Sequence, residues 1–578
     1  MTGRWWRGIA LGGVVCTAGL VGMATPHAAQ AQSEVSFGLA GPYLSARQAS
    51  VENDYKRAAA LYSQALLADP TNLAHMENAM AAYVALAEFD AAAALAGRMF
   101  DTGTSSQVAH MVAVAAQARA GEFAPLERTL NGAARIGPLV DGLVRAWALV
   151  GDGQMAAAFD LFDEIADRDG LRAFALYHKA LALAHVGDFE GSWAILSGEA
   201  DGEIATTRRG LMAEVQILSQ MDQNGLALTR ISQVYGADLD ATFADFALRL
   251  QGGETLPFTH VSDAAHGIAE VYYTVSSALD GEAADSYSLL YSRLAEAMQP
   301  DHIDALLLSA KYLERLGRHD LATATYDRVP RSAPEFVTAE LGRAEALRMS
   351  GAPDAAVEVL QQLAESNPDL SRVHIKLGDT LRRMQRYDSA VEAYDTGLEL
   401  ITQIDAGHWF TYFARGVVLE RSGRWDEAEA DFRTALHLNP DQPQVLNYLG
   451  YSLVEQNTRL EEALDLIERA AFAKPDSGHI LDSLGWVLYR LGRYEEAVGP
   501  METAVELMAT DPTVNDHLGD VYWSVGRETE ARFQWQRALS FSPDEEDAVR
   551  IRAKLEFGLD IVIANEDPEA AIAVANDG

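Results

Sequence analysis

The chain has 578 residues, 49% hydrophobic and 22% charged, and its 84 acidic against 45 basic side chains give a formal net charge of −39 at pH 7. Apolar content of that size excludes wholesale disorder, and a field of that sign repels nucleic-acid phosphates, so no nucleic-acid partner is expected. The length exceeds what one hydrophobic core organises, which leaves several units or one long repeat array.

The first element reads as an export signal over residues 1–31. Arg4 and Arg7 precede an apolar stretch from Gly8 to Ala24, and Pro26 and the small-residue motif Ala29-Gln30-Ala31 follow. That order predicts cleavage after Ala31 and a periplasmic product. The single cysteine, Cys16, lies inside the apolar stretch. Gly13-Val14-Val15 before it lacks the leucine and adjacent small residue of a lipid-attachment site, so a lipid anchor is not expected. The mature chain is then left without a disulfide or a cysteine metal site, and no later stretch is apolar enough to span a membrane.

Degenerate helical hairpins are expected over residues 32–251. Ala46 is followed by Ala58, Tyr62, Ala65 and Pro70, and Gly187-Asp188-Phe189-Glu190 reads as a turn between two helices. Gly252-Gly253-Glu254-Thr255-Leu256-Pro257 reads as a loop between two lobes, and residues 252–300 as that loop plus a connecting hairpin.

A regular array occupies residues 301–544. Seven small anchors, Ala310, Ala344, Gly378, Gly416, Gly450, Gly485 and Gly519, recur at spacings of 34, 34, 38, 34, 35 and 34, a period that marks stacked helix-turn-helix units. Alanine stands twelve residues after nearly every anchor, and a large residue sixteen after: Tyr326, Leu360, Tyr394, Phe432, Met501 and Trp535. Proline often follows at twenty-four, where it stops the second helix. Small anchors and alanines allow two helices to approach closely, and the large residue is expected to fill the space between successive hairpins. Four extra residues around 404–407 and a longer turn at Asn457-Thr458-Arg459-Leu460 are the departures from register. Residues 545–578 are expected to form a capping helix, Ala548 to Phe557, and a mobile tail from Gly558.

These spacings, with Leu484-Gly485, Leu518-Gly519 and Tyr522, resemble the tetratricopeptide repeat. The resemblance implies an all-α superhelical solenoid whose first helices line a concave groove. Leu449-Gly450-Tyr451-Ser452-Leu453 and the run from Leu481 to Arg493 are similar to bacterial envelope repeat proteins, including adaptors of carboxy-terminal processing proteases. That implies a non-enzymatic scaffold or adaptor that binds proteins or peptide segments, with an envelope protease or cell-wall enzyme among the partners. Two other readings stay open: an assembly factor for an envelope or secretion complex, and an enzyme with a cryptic site in the N-terminal half.

No phosphate loop, nucleophile elbow or His-Glu-x-x-His pair occurs in the sequence, so no catalytic residue, metal site or cofactor is expected. The candidate site is a stripe of one helical face in the last three repeats: Asn447 and Tyr451; Asp482, Trp486, Tyr489 and Arg490; Asp516, Asp520 and Trp523. Large aromatics interleaved with hydrogen-bonding groups have the composition of binding hot spots, although packing against neighbouring hairpins would use the same tryptophans. A second, basic stripe holds Lys311, Arg315, Arg348, Arg382 and Arg383, which pairing with Glu314 or Glu345 would make ordinary surface charge.

Overall fold

The computed structural model describes residues 40–130, 136–199, 206–236 and 238–566. The export signal expected over 1–31, Cys16 included, and the tail from residue 567 lie outside them. Among the described residues there are α-helices and one 3-10 turn but no strand. Consecutive helices pack as antiparallel hairpins, and the hairpins stack into a solenoid.

The close approach within each repeat has a visible cause. A Cβ built on Gly378, Gly416, Gly485 or Gly519 would lie under 3 Å from Tyr394, Phe432, Met501 or Trp535, the large residue sixteen positions later in the same hairpin. The large residue therefore packs onto its own hairpin's anchor, and does not only fill space between hairpins as expected. Gly450 faces Ile467, one position late. The delay comes from the turn, where Asn457 and Arg459 both take left-handed backbone. The extra residues near 404 form a 3-10 turn, Ala406–His408, capped by Asp405.

The N-terminal hairpins curl around a helical pair of their own chain. Ala264–Ala278 and Asp285–Met298 form a central hairpin that packs on the inner helices Leu73–Ala85, Gln107–Arg119, Pro138–Gly151 and Arg172–His185. Every residue from Ser288 to Met298 is buried. Its charged residues are paired: Arg293 with Glu296 at 3.0 Å, and Glu296 also with Arg328. Tyr272 donates to the Met111 carbonyl at 3.0 Å, and Gln107 donates to Tyr287 at 3.0 Å. At the open end, Asn53 donates to the Leu316 carbonyl and Lys56 lies 3.6 Å from Asp320, which ties the first hairpins to the start of the regular array.

One apolar core runs from Ala46 to Ala346 and a second from Ala344 to Leu559. A third, smaller core runs from Leu211 to Leu256. The first core resumes at Val261 and divides from the second nearly ninety residues beyond the 252–257 segment, because the central hairpin belongs to the N-terminal lobe. Past the regular repeats, Glu545–Phe557 forms the capping helix. Gly558 then takes φ 88°, and a further helix, Leu559–Glu566, folds back with Leu559 and Val562 buried. The expected mobile tail therefore begins with ordered, packed structure. No helix among the described residues is long and apolar enough to cross a membrane.

Candidate functional site: the concave face of the last repeats

First helices of successive hairpins line the concave face. In the C-terminal array these include Trp409–Arg421, Pro443–Glu455, Gly478–Arg490 and Pro512–Ser524. Between them opens a cavity of about 620 Å³, walled by Asn447, Tyr448, Tyr451, Glu455, Asp482 and Asp511 among others. Three predicted residues, Asn447, Tyr451 and Asp482, are thus brought together on one open surface. Tyr448 donates to Glu420 at 3.2 Å, and burial with that carboxylate pushes its phenol up to about 12. The Tyr451 phenol is also raised, by burial and then by Glu455.

Trp486 does not project into this cavity as a free anchor. It is 9% exposed and lies stacked between Tyr489, at 4.8 Å between ring centres, and His517, at 4.0 Å. Its indole N–H donates to Glu455 Oε1 at 3.1 Å. The expected hot spot is a packing element that joins two repeats. Tyr489 and Arg490 are half-buried beside it, and Arg490 makes no ion pair among the described residues.

The last three predicted residues are covered by the chain itself. Lys554 of the capping helix, fully buried, places its ammonium 2.7 Å from Asp516 and 2.7 Å from Asp520. Trp523 donates to Asp560 at 3.2 Å, and its ring lies against Gly558. Asp516, Asp520 and Trp523 therefore hold the C-terminal helices and offer little to a partner.

In the basic stripe, Lys311 and Arg315 pair with Asp280, and Arg315 also with Asp285, in the turn of the central hairpin. The partners are these aspartates, not Glu314. Arg348 pairs with Glu345 as anticipated. Arg382 donates to the Tyr394 hydroxyl at 3.2 Å, and Arg383 is exposed.

Sequence reasoning missed Glu420, Tyr448, Asp511 and His517. The Asp482–His517 pair, 3.0 Å apart, links residues 35 positions apart, so a comparison of charges one repeat apart would have found it. Burial alone would lower the His517 pKa. Asp482, with its hydrogen bond, and Asp516 and Asp520 more than offset that and raise it above the ordinary 6.5. A raised histidine stabilises the folded state fully below its unfolded pKa and loses that contribution as pH rises through the folded one. Stability of the last repeats should therefore fall as pH rises from about 6.5, and His517→Gln should flatten that slope in thermal melts. An unchanged slope would mean that His517 stays neutral.

In residues 190–300 the described segments are helical hairpins. A mainly apolar cavity of about 410 Å³ lies there, lined by Phe174, Tyr177 and Tyr273 together with Arg208 and Arg209. Both guanidiniums are engaged: Arg208 with Asp240, Asp304 and Glu335, and Arg209 with Glu270 and Asp304. Among the described residues no group of three or more His, Cys, Asp or Glu side chains is placed to hold a metal ion.

The family profile described as tetratricopeptide repeat matches residues 307–371, 369–441, 413–478 and 456–514. Residues 307–514 are tetratricopeptide repeats. A stretch of 108 residues is 35% identical to a TPR repeat-containing protein of Pseudomonas aeruginosa, covering 19% of this chain and 18% of that one. Another of 149 residues is 25% identical to cell division cycle protein 27 homolog B of Arabidopsis thaliana, covering 26% and 20%. The chain spans about a fifth of the length of these curated relatives. Among solved structures, the anaphase-promoting-complex hetero-tetramer Cut9–Hcn1 aligns over 91% of this chain and 97% of its own at 15% identity and TM-score 0.37. YrrB, described as a TPR protein with an unusual peptide-binding site, aligns over 34% and 98% at 21% identity and TM-score 0.28.

Proposed function

We propose that this chain is a non-enzymatic scaffold or adaptor of the bacterial cell envelope, exported through its N-terminal signal, which holds a segment of a partner protein in the open part of the repeat groove. The observation that carries the reading is an asymmetry. The N-terminal lobe fills its concave face with its own central hairpin, and the capping helices cover the far C-terminal end. Between them the cavity beside Tyr448, Tyr451 and Asp482 stays open. A concave, partly aromatic surface with fixed polar groups suits a bound peptide. The partner class we favour is an envelope protease or cell-wall enzyme. A second reading, assembly of a multi-subunit complex, draws support from the 26% identity over 143 residues to a protein named anaphase-promoting complex subunit 7 of Dictyostelium discoideum.

Photo-crosslinking in cells tests both. A benzophenone side chain at Tyr451 should trap a partner, and the same group at Glu358, exposed on an outer helix, should not. A protease or hydrolase in the adduct supports the adaptor, and secretion or outer-membrane subunits support assembly. Equal labelling at both positions, or a cytoplasmic chain that retains Met1, would remove the proposal.

A further inference from the structure

The open cavity is lined by more acidic than basic side chains. On the outer helices and turns, several carboxylates are neutralised locally, as Glu429 is by Arg433 and Arg459, Glu427 by Arg424, and Glu496 by Arg493, whereas Glu358 and Glu392 stand exposed on outer helices. The cavity wall carries Glu420, Glu455, Asp482 and Asp511 against one lining guanidinium, Arg421, with Arg490 acting on Tyr451 from nearby. Arg421 lies 3.6 Å from Glu420, and Asp482 is matched by His517. Glu455 accepts from the Trp486 indole N–H and from the Tyr451 phenol, and Asp511 accepts from the Thr513 and Val514 backbone; neither has an ion-pair partner among the described residues.

One further feature acts in the same direction. Tyr448 and Tyr451 contribute aromatic rings to the wall, and such rings attract cations through their faces. A segment rich in carboxylates would meet like charge in a recess where water screens poorly.

We infer that the partner segment taken by this groove is cationic: an extended stretch bearing lysine or arginine, whose side chains reach Glu455 and Asp511 between the two tyrosines. This rests on the proposed docking role of the groove. The net charge of −39 would speed encounter with such a segment from a distance, but the local carboxylates decide where it settles.

The test uses the full chain and three fluorescent peptides of equal length, alternating alanine with lysine, glutamine or glutamate, followed by anisotropy at low and moderate salt. The lysine peptide should bind about tenfold tighter than the glutamine one and lose affinity with salt, and the glutamate peptide should bind least. Glu455→Gln with Asp511→Asn keeps the indole and backbone hydrogen bonds and should weaken the lysine peptide about tenfold. Glu358→Gln with Glu392→Gln, on outer helices, should change it less than about twofold. Equal losses in the two double variants would assign binding to the overall field and overturn the inference. If the glutamine peptide binds as tightly as the lysine one and depends on Tyr451, the groove docks peptides without charge selection, so the inference fails and the docking role survives. Should no peptide bind and Tyr451 trap nothing in cells, both fall.

Discussion

Lys554→Ala should unfold the C-terminal end of the array, at a cost of about 3–5 kcal/mol, the range for removing one member of a buried ion pair. The lysine is fully buried, and its ammonium lies between Asp516 and Asp520. Asp520 also accepts from the Trp535 indole at 2.9 Å, and Trp535 packs on the Gly519 backbone. Without the ammonium, the two carboxylates keep only Arg550, 3.8–3.9 Å away, and the neighbouring His517 to offset them. Repeat arrays distribute such losses to near neighbours. Hydrogen exchange should therefore rise in 512–566 and stay low in the N-terminal lobe. Lys554→Met combined with Asp516→Asn and Asp520→Asn should restore much of the stability, since it removes the uncompensated charges along with the pair. A Lys554→Ala protein with unchanged exchange in 512–566 would show that the pair contributes nothing to the closure.

The regular array was legible because each of its interactions lies at a fixed offset. Gly378 and Tyr394, or Gly519 and Trp535, meet within one hairpin, and their spacing is visible in any window of one repeat. The candidate site was only half legible. Asn447, Tyr451 and Asp482 follow from helical position alone. Whether Trp486 is open or stacked depends on His517 in the next hairpin, and whether Trp523 is open depends on Asp560 beyond a glycine that reads as a helix stop. Gly558 turns the chain back instead of ending its structure. Least legible was the central hairpin. Arg293 and Glu296 give Asp285–Met298 the look of a half-exposed repeat helix, and the ion pairs that permit its burial include Arg328, in another helical hairpin. Its packing surfaces on Leu73–Ala85 and Gln107–Arg119 lie well over a hundred residues upstream, where no periodicity connects them.

The central hairpin supplies the other large effect. Trp147 is fully buried on Pro138–Gly151 and donates to His178 at 3.1 Å. Burial holds His178 down to about 4, so its Nδ1 accepts as a neutral ring. Gly267 of the central hairpin lies directly on the indole, and a Cβ there would sit 2.2 Å from two ring atoms. Glycine inside a helix costs about 1 kcal/mol relative to alanine, so its presence there marks a close approach that a side chain would prevent. Trp147→Ala should cost about 3–5 kcal/mol. Gly267→Val should also loosen the lobe, from the opposite side, by forcing the hairpin off its seat. Both variants should expose the turn at 279–284 to protease and raise binding of an apolar dye, as the surfaces of Gln107–Arg119 and Pro138–Gly151 come open. The array beyond residue 344 has a separate core and should keep its own melting transition. If the turn stays protected in both variants, the hairpin is held by its other contacts, and the Trp147–Gly267 junction is not what fills the N-terminal groove. If instead the whole chain melts as one unit, the two cores are coupled through Phe336–Met349, which contributes to both, and the lobes act as a single cooperative body.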